Sequence, residues 1–270
     1  MSIFVQCFML LMKYHGHSIQ RTKRIFVVGI CIVIVVAWYF WPDTRPFVSV
    51  CTPTKNRREF ITDAIKYFKS QTYPQHLMEW IVVDDGDVPV GDLLADIPNV
   101  KYFRTKSMPL GAKRNFVHSK TSGDILVYMD DDDFYPPTRV EHAVDRLMSS
   151  DALIAGCDLL SIYYTDLDQI YEFGPYWDNH GTAGTFAFKR QLLQLTNYKS
   201  SDTLAEEKYF LNNYKFPMVQ LDPEQTLLCI SHSKNTYDKH KIIRSGRKTS
   251  WKLEHFVKDS AVVQLIRARK

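Results

Sequence analysis

Runs of apolar residues alternate with amphipathic stretches over the first half of the chain after residue 46. Phe47-Val48-Ser49-Val50-Cys51, Trp80-Ile81-Val82-Val83, Val100-Lys101-Tyr102-Phe103 and Ile125-Leu126-Val127-Tyr128-Met129 are short, β-branched or aromatic runs. Each predicts a strand, three of them buried on both faces. Between them, Arg58 to Gln71 places Phe60, Ile61, Ala64, Ile65 and Phe68 on one helical face. Tyr73-Pro74 ends that helix. Leu110 to Ser119 and Val140 to Leu147 predict further helices. Strand and helix in alternation imply an α/β fold, a mostly parallel sheet with helices on both faces. Past Met148 the alternation stops. Leu159–Tyr164 and Gln169–Phe173 predict a hairpin around Asp166-Leu167-Asp168. Gly181–Gly184 reads as a loop, Lys189–Leu195 and Leu204–Asn212 as short helices, and Thr226–Ile230 as a strand.

Ligands of such a sheet bind beyond the carboxyl ends of the strands. Three polar clusters fall there: Thr52 to Arg57, Asp84-Asp85-Gly86-Asp87, and Asp130-Asp131-Asp132-Asp133. Four adjacent carboxylates cannot be buried with the strand before them unless a cation offsets their repulsion. Hard oxygen ligands at a strand end suit Mg²⁺ or Mn²⁺ holding phosphates. A solvated acidic turn is the plain alternative for any one run. Three clusters on successive strand ends are more specific.

The 270 residues carry a net charge of +4. That excess sits in residues 1–46, where Lys13, Arg21, Lys23, Arg24 and Arg45 face Asp43 alone. The rest is balanced, so no broad basic field suggests nucleic acid. Ile25 to Trp41 are uncharged and mostly apolar, and end in the aromatic run Trp38 to Trp41. A helix of that length spans about 26 Å, near the thickness of a thin bilayer. The stretch is apolar all round and lacks a small-residue cleavage site ahead of Pro42, so a retained signal anchor is expected. The cations before it place residues 1–24 in the cytoplasm and the remainder across the membrane, in the ER/Golgi lumen of a eukaryotic cell. The five cysteines form no disulfide framework, and a Cys157–Cys229 pair stays open. No N-x-Ser/Thr sequon is present.

The quoted segments resemble glycosyltransferase family 2, inverting nucleotide-sugar transferases of the GT-A fold, over residues 47–237. Val48 to Arg57 is similar to "VSVIxPTYNR", Gln71-Thr72-Tyr73-Pro74 to "SQTYP", and Val83-Asp84-Asp85-Gly86 to "VDDGS" with Asp87 in place of serine. Leu110 to Asn115 resembles "GxxxARN", and Asp130–Asp133 "DxDD". The resemblance implies a nucleotide-binding half at 47–148, an acceptor half at 149–237 and a basic extension at 238–270. It implies donor contacts from Pro53 (backbone), Asp85 (uracil N3–H), Arg114 (nucleotide or phosphates), Asp130 and Asp131. It implies Mn²⁺ or Mg²⁺ on Asp132, with His232 of the late "H…NT" segment completing the shell. Leu204 to Phe210 is similar to "EDxxF", which makes Glu207 the catalytic base although glutamate replaces aspartate there. Expected partners are a UDP-sugar, a glycan, glycoprotein or lipid acceptor, and a membrane. On the residues alone, Asp84 braces its loop or binds, Arg57 and Lys113 read as solvated surface cations, and Trp177 stacks on a sugar or fills a core. Two other functions stay open: a sugar-phosphate nucleotidyltransferase, and a binding protein on the same fold. The first needs a glycine-rich loop, which Thr52–Arg57 lacks.

Overall fold

The computed structural model describes residues 44–269. The expected anchor at 25–41 lies outside them. Among the described residues no helix is long and apolar enough to cross a membrane.

Residues from Pro46 onward form one compact unit. Its main sheet opens with β1 (Val48–Thr54), followed by helix α1 (Arg58–Lys69) and β2 (Met78–Asp84). Strand β3 (Val100–Arg104), helix α2 (Leu110–Lys120), β4 (Ile125–Tyr128) and helix α3 (Arg139–Met148) continue the alternation. Three three-residue strands follow: β5 (Ile154–Gly156), β8 (Ala187–Lys189) and β9 (Met218–Gln220). The order is β3-β2-β1-β4-β8-β5-β9. Strands β3, β2, β1 and β4 are parallel, while β8 runs antiparallel to both its neighbours. The fold is thus mixed α/β with a mostly parallel central sheet.

Every residue of β1 and β2 is buried, as their unbroken apolar runs require. The face of α1 carrying Phe60, Ile61, Ala64 and Phe68 packs into the core, Phe68 stacking on Trp80 at 5.0 Å. Burial of each such large side chain stabilises by roughly 1.5–3 kcal/mol. The Thr52 hydroxyl in this layer is satisfied twice, donating to Met129 O at 2.6 Å and accepting from Trp80 Nε1 at 2.8 Å.

Helix α2 is different. Its buried face is Gly111, Lys113, Arg114, Val117 and His118, with little apolar periodicity. Two cations point inward because carboxylates meet them there. Gly111 is required by close approach: a Cβ would lie 2.1 Å from Lys199 O. Gly111 N–H also donates to Asp202 O at 2.9 Å and Asn115 Nδ2 to Tyr198 O at 2.7 Å. α2 therefore joins the first half of the domain to the 198–202 segment.

The second sheet has the order β10-β6-β7-β11. β6 (Leu160–Tyr164) and β7 (Gln169–Phe173) form the expected hairpin, and β10 (Leu228–Ser231) pairs parallel to β6. β11 (Arg247–Lys248) pairs with β7, and helix α4 (Ser260–Arg267) follows. The C-terminal residues are built into the domain rather than hanging from it. Leu253, Val257, Val263 and Ile266 join the core, and Arg269 pairs with Asp63 of α1 at 2.5 Å. The composition of 238–270 is basic, but its apolar residues recur with helical spacing. Cys157 and Cys229 are buried free thiols, not a disulfide.

Candidate active site

Parallel strands end on one edge. Register places Thr54 beside Asp84 and Cys51 beside Tyr128. Two of the three polar clusters line a crevice of about 550 Å³, with Pro53, Thr54, Arg57, Lys113, Arg114 and Asp130 to Asp133, and the third touches its wall where Asp85 pairs with Lys113. That volume suits a small organic ligand.

Each aspartate of the run has its own setting. Asp133 accepts the Ile230 N–H at 2.8 Å, and Asp131 accepts the Thr54 hydroxyl. Both are buried. Burial and the adjacent Asp132 charge push Asp131 up to about 8 and Asp133 up to about 7. Asp132 carries the charge instead. Burial pushes it up, but its contact with His232 and the Arg57 guanidinium outweigh burial and hold it well below the usual carboxylate range. Arg57 pairs with Asp132 and lies 3.7 Å from Asp131. The expected solvated cation is a buried ion-pair partner. Asp131, expected at the donor, lines the crevice and engages one carboxylate oxygen with Thr54 of β1.

His232 Nε2 is 3.4 Å from Asp132 Oδ2, so the two expected metal ligands do come together. The imidazole stacks on Phe60 at 4.7 Å, and Asn235 Nδ2 reaches both His232 Nε2 (2.9 Å) and Asp132 Oδ2 (3.1 Å). Asp130 Oδ1 is buried without a hydrogen bond, 3.5 Å from Arg114 Nη1. An orphaned carboxylate oxygen near Asp132 and an imidazole is a donor set that fits Mg²⁺ or Mn²⁺. Among the described residues no three acidic, histidine or cysteine side chains converge into a ready cage. Ligand oxygens would have to complete the shell, as is usual where carboxylates and phosphates share such a cation.

Lys113, expected at the surface, is buried. It pairs with Asp85 Oδ1 and donates to Thr54 O at 3.2 Å. Burial pushes its ammonium below the ordinary value, and Asp85 offsets part of that. Asp85 Oδ2 accepts the Met108 N–H at 3.0 Å. Both oxygens of Asp85 are engaged, so a base N–H would be an added contact using a remaining lone pair. Asp84 braces its loop, accepting from Gly86 N, Val90 N and Tyr102 Oη within 3.2 Å.

Arg114 does not reach freely into the crevice. Its Nε donates to Glu206 Oε1 at 2.7 Å, and the guanidinium lies 4.5 Å over Tyr128. Burial pulls it down, but the Asp130 and Glu206 charges raise it well above its ordinary value. Arg114 thereby links Asp130 to Glu206 across the two halves. The expected helix at 204–212 is a single turn, Glu207–Phe210, preceded by Ala205 at φ 53°. Residues Asn212, Asn213 and Tyr214 are left-handed as well, which shortens it. Glu206 is buried and Glu207 partly exposed. Burial first, then the neighbouring Glu206 charge, raises the Glu207 carboxyl above its ordinary range.

Two groups escaped the sequence reading. Lys239 donates to Ile230 O at 3.1 Å and lines the crevice beside Asp132 and Asp133. Arg139 is fully buried and donates to Thr185 O and Phe186 O, both at 2.8 Å. Neither has a local pattern that singles it out.

The comparisons with known proteins agree with this geometry. The chain is 28% identical to an uncharacterized glycosyltransferase of Rickettsia felis over 118 residues, 41% of this chain and 19% of that protein. It is 34% identical over 96 residues to the GalNAc(5)-diNAcBac-PP-undecaprenol beta-1,3-glucosyltransferase of Campylobacter jejuni, covering 33% of this chain and 30% of that one. The chain thus matches well under half of either relative. Among solved structures, a mannosyltransferase of Pyrobaculum calidifontis in complex with GDP-Man and Mn²⁺ superposes with a TM-score of 0.56 at 17% identity, covering 82% of this chain and 77% of that one. S. aureus TarS in complex with UDP-GlcNAc gives 0.51 at 18% identity, covering 81% and 65%. These structural likenesses establish a GT-A-like fold. The model of Glycosyl transferase family 2 matches residues 49–194, more than half of the chain, and the protein belongs to that family.

Proposed function

We propose that this glycosyltransferase moves a hexosyl group from a UDP-sugar to an acceptor hydroxyl in one inverting displacement, with a divalent cation bound at Asp132. The observation that carries this is the crevice itself. It is lined by Asp130 and Asp132 together with Arg57, Lys113 and Lys239, and His232 lies 3.4 Å from Asp132. Carboxylates for a cation beside cations for phosphate suit a nucleoside diphosphate. Base and ribose contacts are assigned to Pro53, which lines the crevice, and to Asp85, which pairs with Lys113 in its wall. A bound Mg²⁺ or Mn²⁺ supplies Lewis-acid offset of the charge growing on the diphosphate. Asp132 and His232 would hold it, with ligand oxygens completing the shell.

Glu207 takes the acceptor proton as the hydroxyl oxygen attacks C1 and the C1–O bond to the diphosphate breaks. Its raised pKa brings it closer to the operating pH, where a base works best. Glu206, held by Arg114, fixes the helical turn from which Glu207 projects. A panel of UDP-sugars with GDP-mannose, assayed for nucleoside diphosphate release, tests this reading. One donor should be consumed; none consumed across the panel with Mn²⁺ or Mg²⁺ would contradict it.

We further propose that 25–41 anchors the chain, with the catalytic domain across the membrane from residues 1–24. Support comes from the apolar run and the cations before it. A C-terminal tag should resist protease in sealed microsomes; digestion without detergent would reverse this topology.

A further inference from the structure

Trp177 was open to two uses, and its exposure of 50% removes one of them: it does not fill a core. Tyr176 beside it is 48% exposed. Around them lies a compact set of rings. His180 stacks on Tyr214 with centroids 5.2 Å apart and planes at 19°. Trp177 stands edge-on to Tyr214 at 5.3 Å and to His180 at 4.6 Å. Tyr176 meets His180 at 4.5 Å. An exposed aromatic group of this kind leaves apolar area in water that a ligand could cover.

Its place in the fold narrows the ligand. Two residues beyond His180, Thr182 and then Gly184 line the crevice. On the other side, Asn213 N–H donates to Lys208 O at 2.8 Å, which folds Tyr214 back beside the turn bearing Glu207. The Glu207 charge, after burial, raises the Tyr214 phenol. The rings are thus tied by chain to the crevice wall on one side and by Tyr214 to the turn of the proposed base on the other. They are also held firmly. Gln220 Nε2 donates to Asp178 O at 2.6 Å and to His180 O at 3.0 Å, and Asn179 Oδ1 accepts Met218 N–H at 3.3 Å. Little ordering entropy is then lost on binding.

We propose that Trp177, with Tyr176, His180 and Tyr214, forms a stacking platform for a pyranose ring of a glycan acceptor, holding its hydroxyl toward Glu207. This rests on the glycosyl-transfer reading and names its acceptor class. One face of a pyranose presents C–H groups to the negative face of an aromatic ring, while its hydroxyls stay in water. Rings at steep angles to one another, rimmed by Asp178 and Asn179, offer such a face and polar partners at its edge. A polyisoprenoid chain would instead need a continuous apolar groove.

The test uses the full chain and three separate readouts: donor cleavage with water as acceptor, retention on a printed panel of oligosaccharides, and binding to vesicles containing a polyprenyl phosphate. Trp177→Ala should lower glycan affinity at least about tenfold, or about 1.4 kcal/mol. Trp177→Phe should recover most of that loss, and both should cleave donor in water at the wild-type rate. Glycan affinity unchanged in Trp177→Ala, no printed glycan held by the wild type, or binding confined to the vesicles would each overturn the platform. Absence of donor cleavage in the wild type would instead count against the reading of the crevice, while the glycan panel still decides the platform.

Discussion

The two halves of this domain were assembled by different rules. In residues 47–148, long buried strands end on one edge and place their polar residues at the crevice. In 149–237 the main-sheet strands are three residues each, and position is set by left-handed turns and side-chain ties. The first arrangement is fixed by local pattern, the second by long-range contacts. They share two hydrophobic clusters and the β4–β8 pairing, and polar ties add to these: Arg114 from one half to Glu206 of the other, and the α2 backbone to 198–202.

The largest expected effect separates Glu207 from Glu206. Glu207→Gln keeps the shape but cannot take a proton, and should slow transfer roughly a hundred- to ten-thousandfold with donor affinity retained. Its folding should change little, since Glu207 has a raised carboxyl pKa and partial exposure. Glu206→Gln should spare more of the rate yet lower stability, because Arg114 loses its buried counter-charge. Steady-state kinetics and denaturant melts on both variants check this. A dead Glu206→Gln with a healthy Glu207→Gln would exchange their roles.

Asp132→Ala comes next, with a loss on the order of a hundredfold in rate. The melting transition should also fall, because Arg57 and His232 lose their counter-charge. A rate unchanged within twofold would move the cation elsewhere.

Gly111→Ala probes the seam between the halves. The added methyl meets Lys199 O, and overpacking of that kind costs about 1–3 kcal/mol. Urea melts should show it. An unchanged midpoint would mean that the 198–202 segment yields freely to α2.

The smallest effect is pH-dependent. His118 is buried with Nε2 2.7 Å from the Tyr128 phenol oxygen, and burial pushes its imidazole down to about 3. The unfolded chain takes up a proton below about 6.5, and the folded chain does not. Stability is thus intact above that pH and is lost as pH falls toward about 3. Relative to His118→Phe, the wild type should lose up to about 1.4 kcal/mol per pH unit between pH 6 and 5. Parallel stability curves for the two proteins would remove His118 from this account.

The same contrast explains what could be read from the residues. β1, α1, β2 and β4 were legible because unbroken apolar runs and a clear helical face encode them. So were Asp132 and His232 as neighbours, through the resemblance. β5, β8 and β9 were not, since three residues carry no period. Lys113 read as surface because lysine is seldom buried; only Asp85, 28 residues earlier in the chain, explains its position. Arg114 was seen as a donor contact, but its partner Glu206 is 92 residues away. The aromatic rings at 176–180 and 214 belong to segments that no local pattern brings together.

Nucleoside diphosphate binding tests the central claim most directly. Calorimetric titration of UDP into the full chain, with Mn²⁺ and again with excess EDTA, reads the crevice without any need to know the acceptor. UDP should bind with Mn²⁺ at a Kd on the order of micromolar, at least about tenfold more weakly in EDTA, and comparably weakly in Asp132→Ala. Equal affinity with and without the cation, or no binding of UDP or GDP under either condition, would contradict the account.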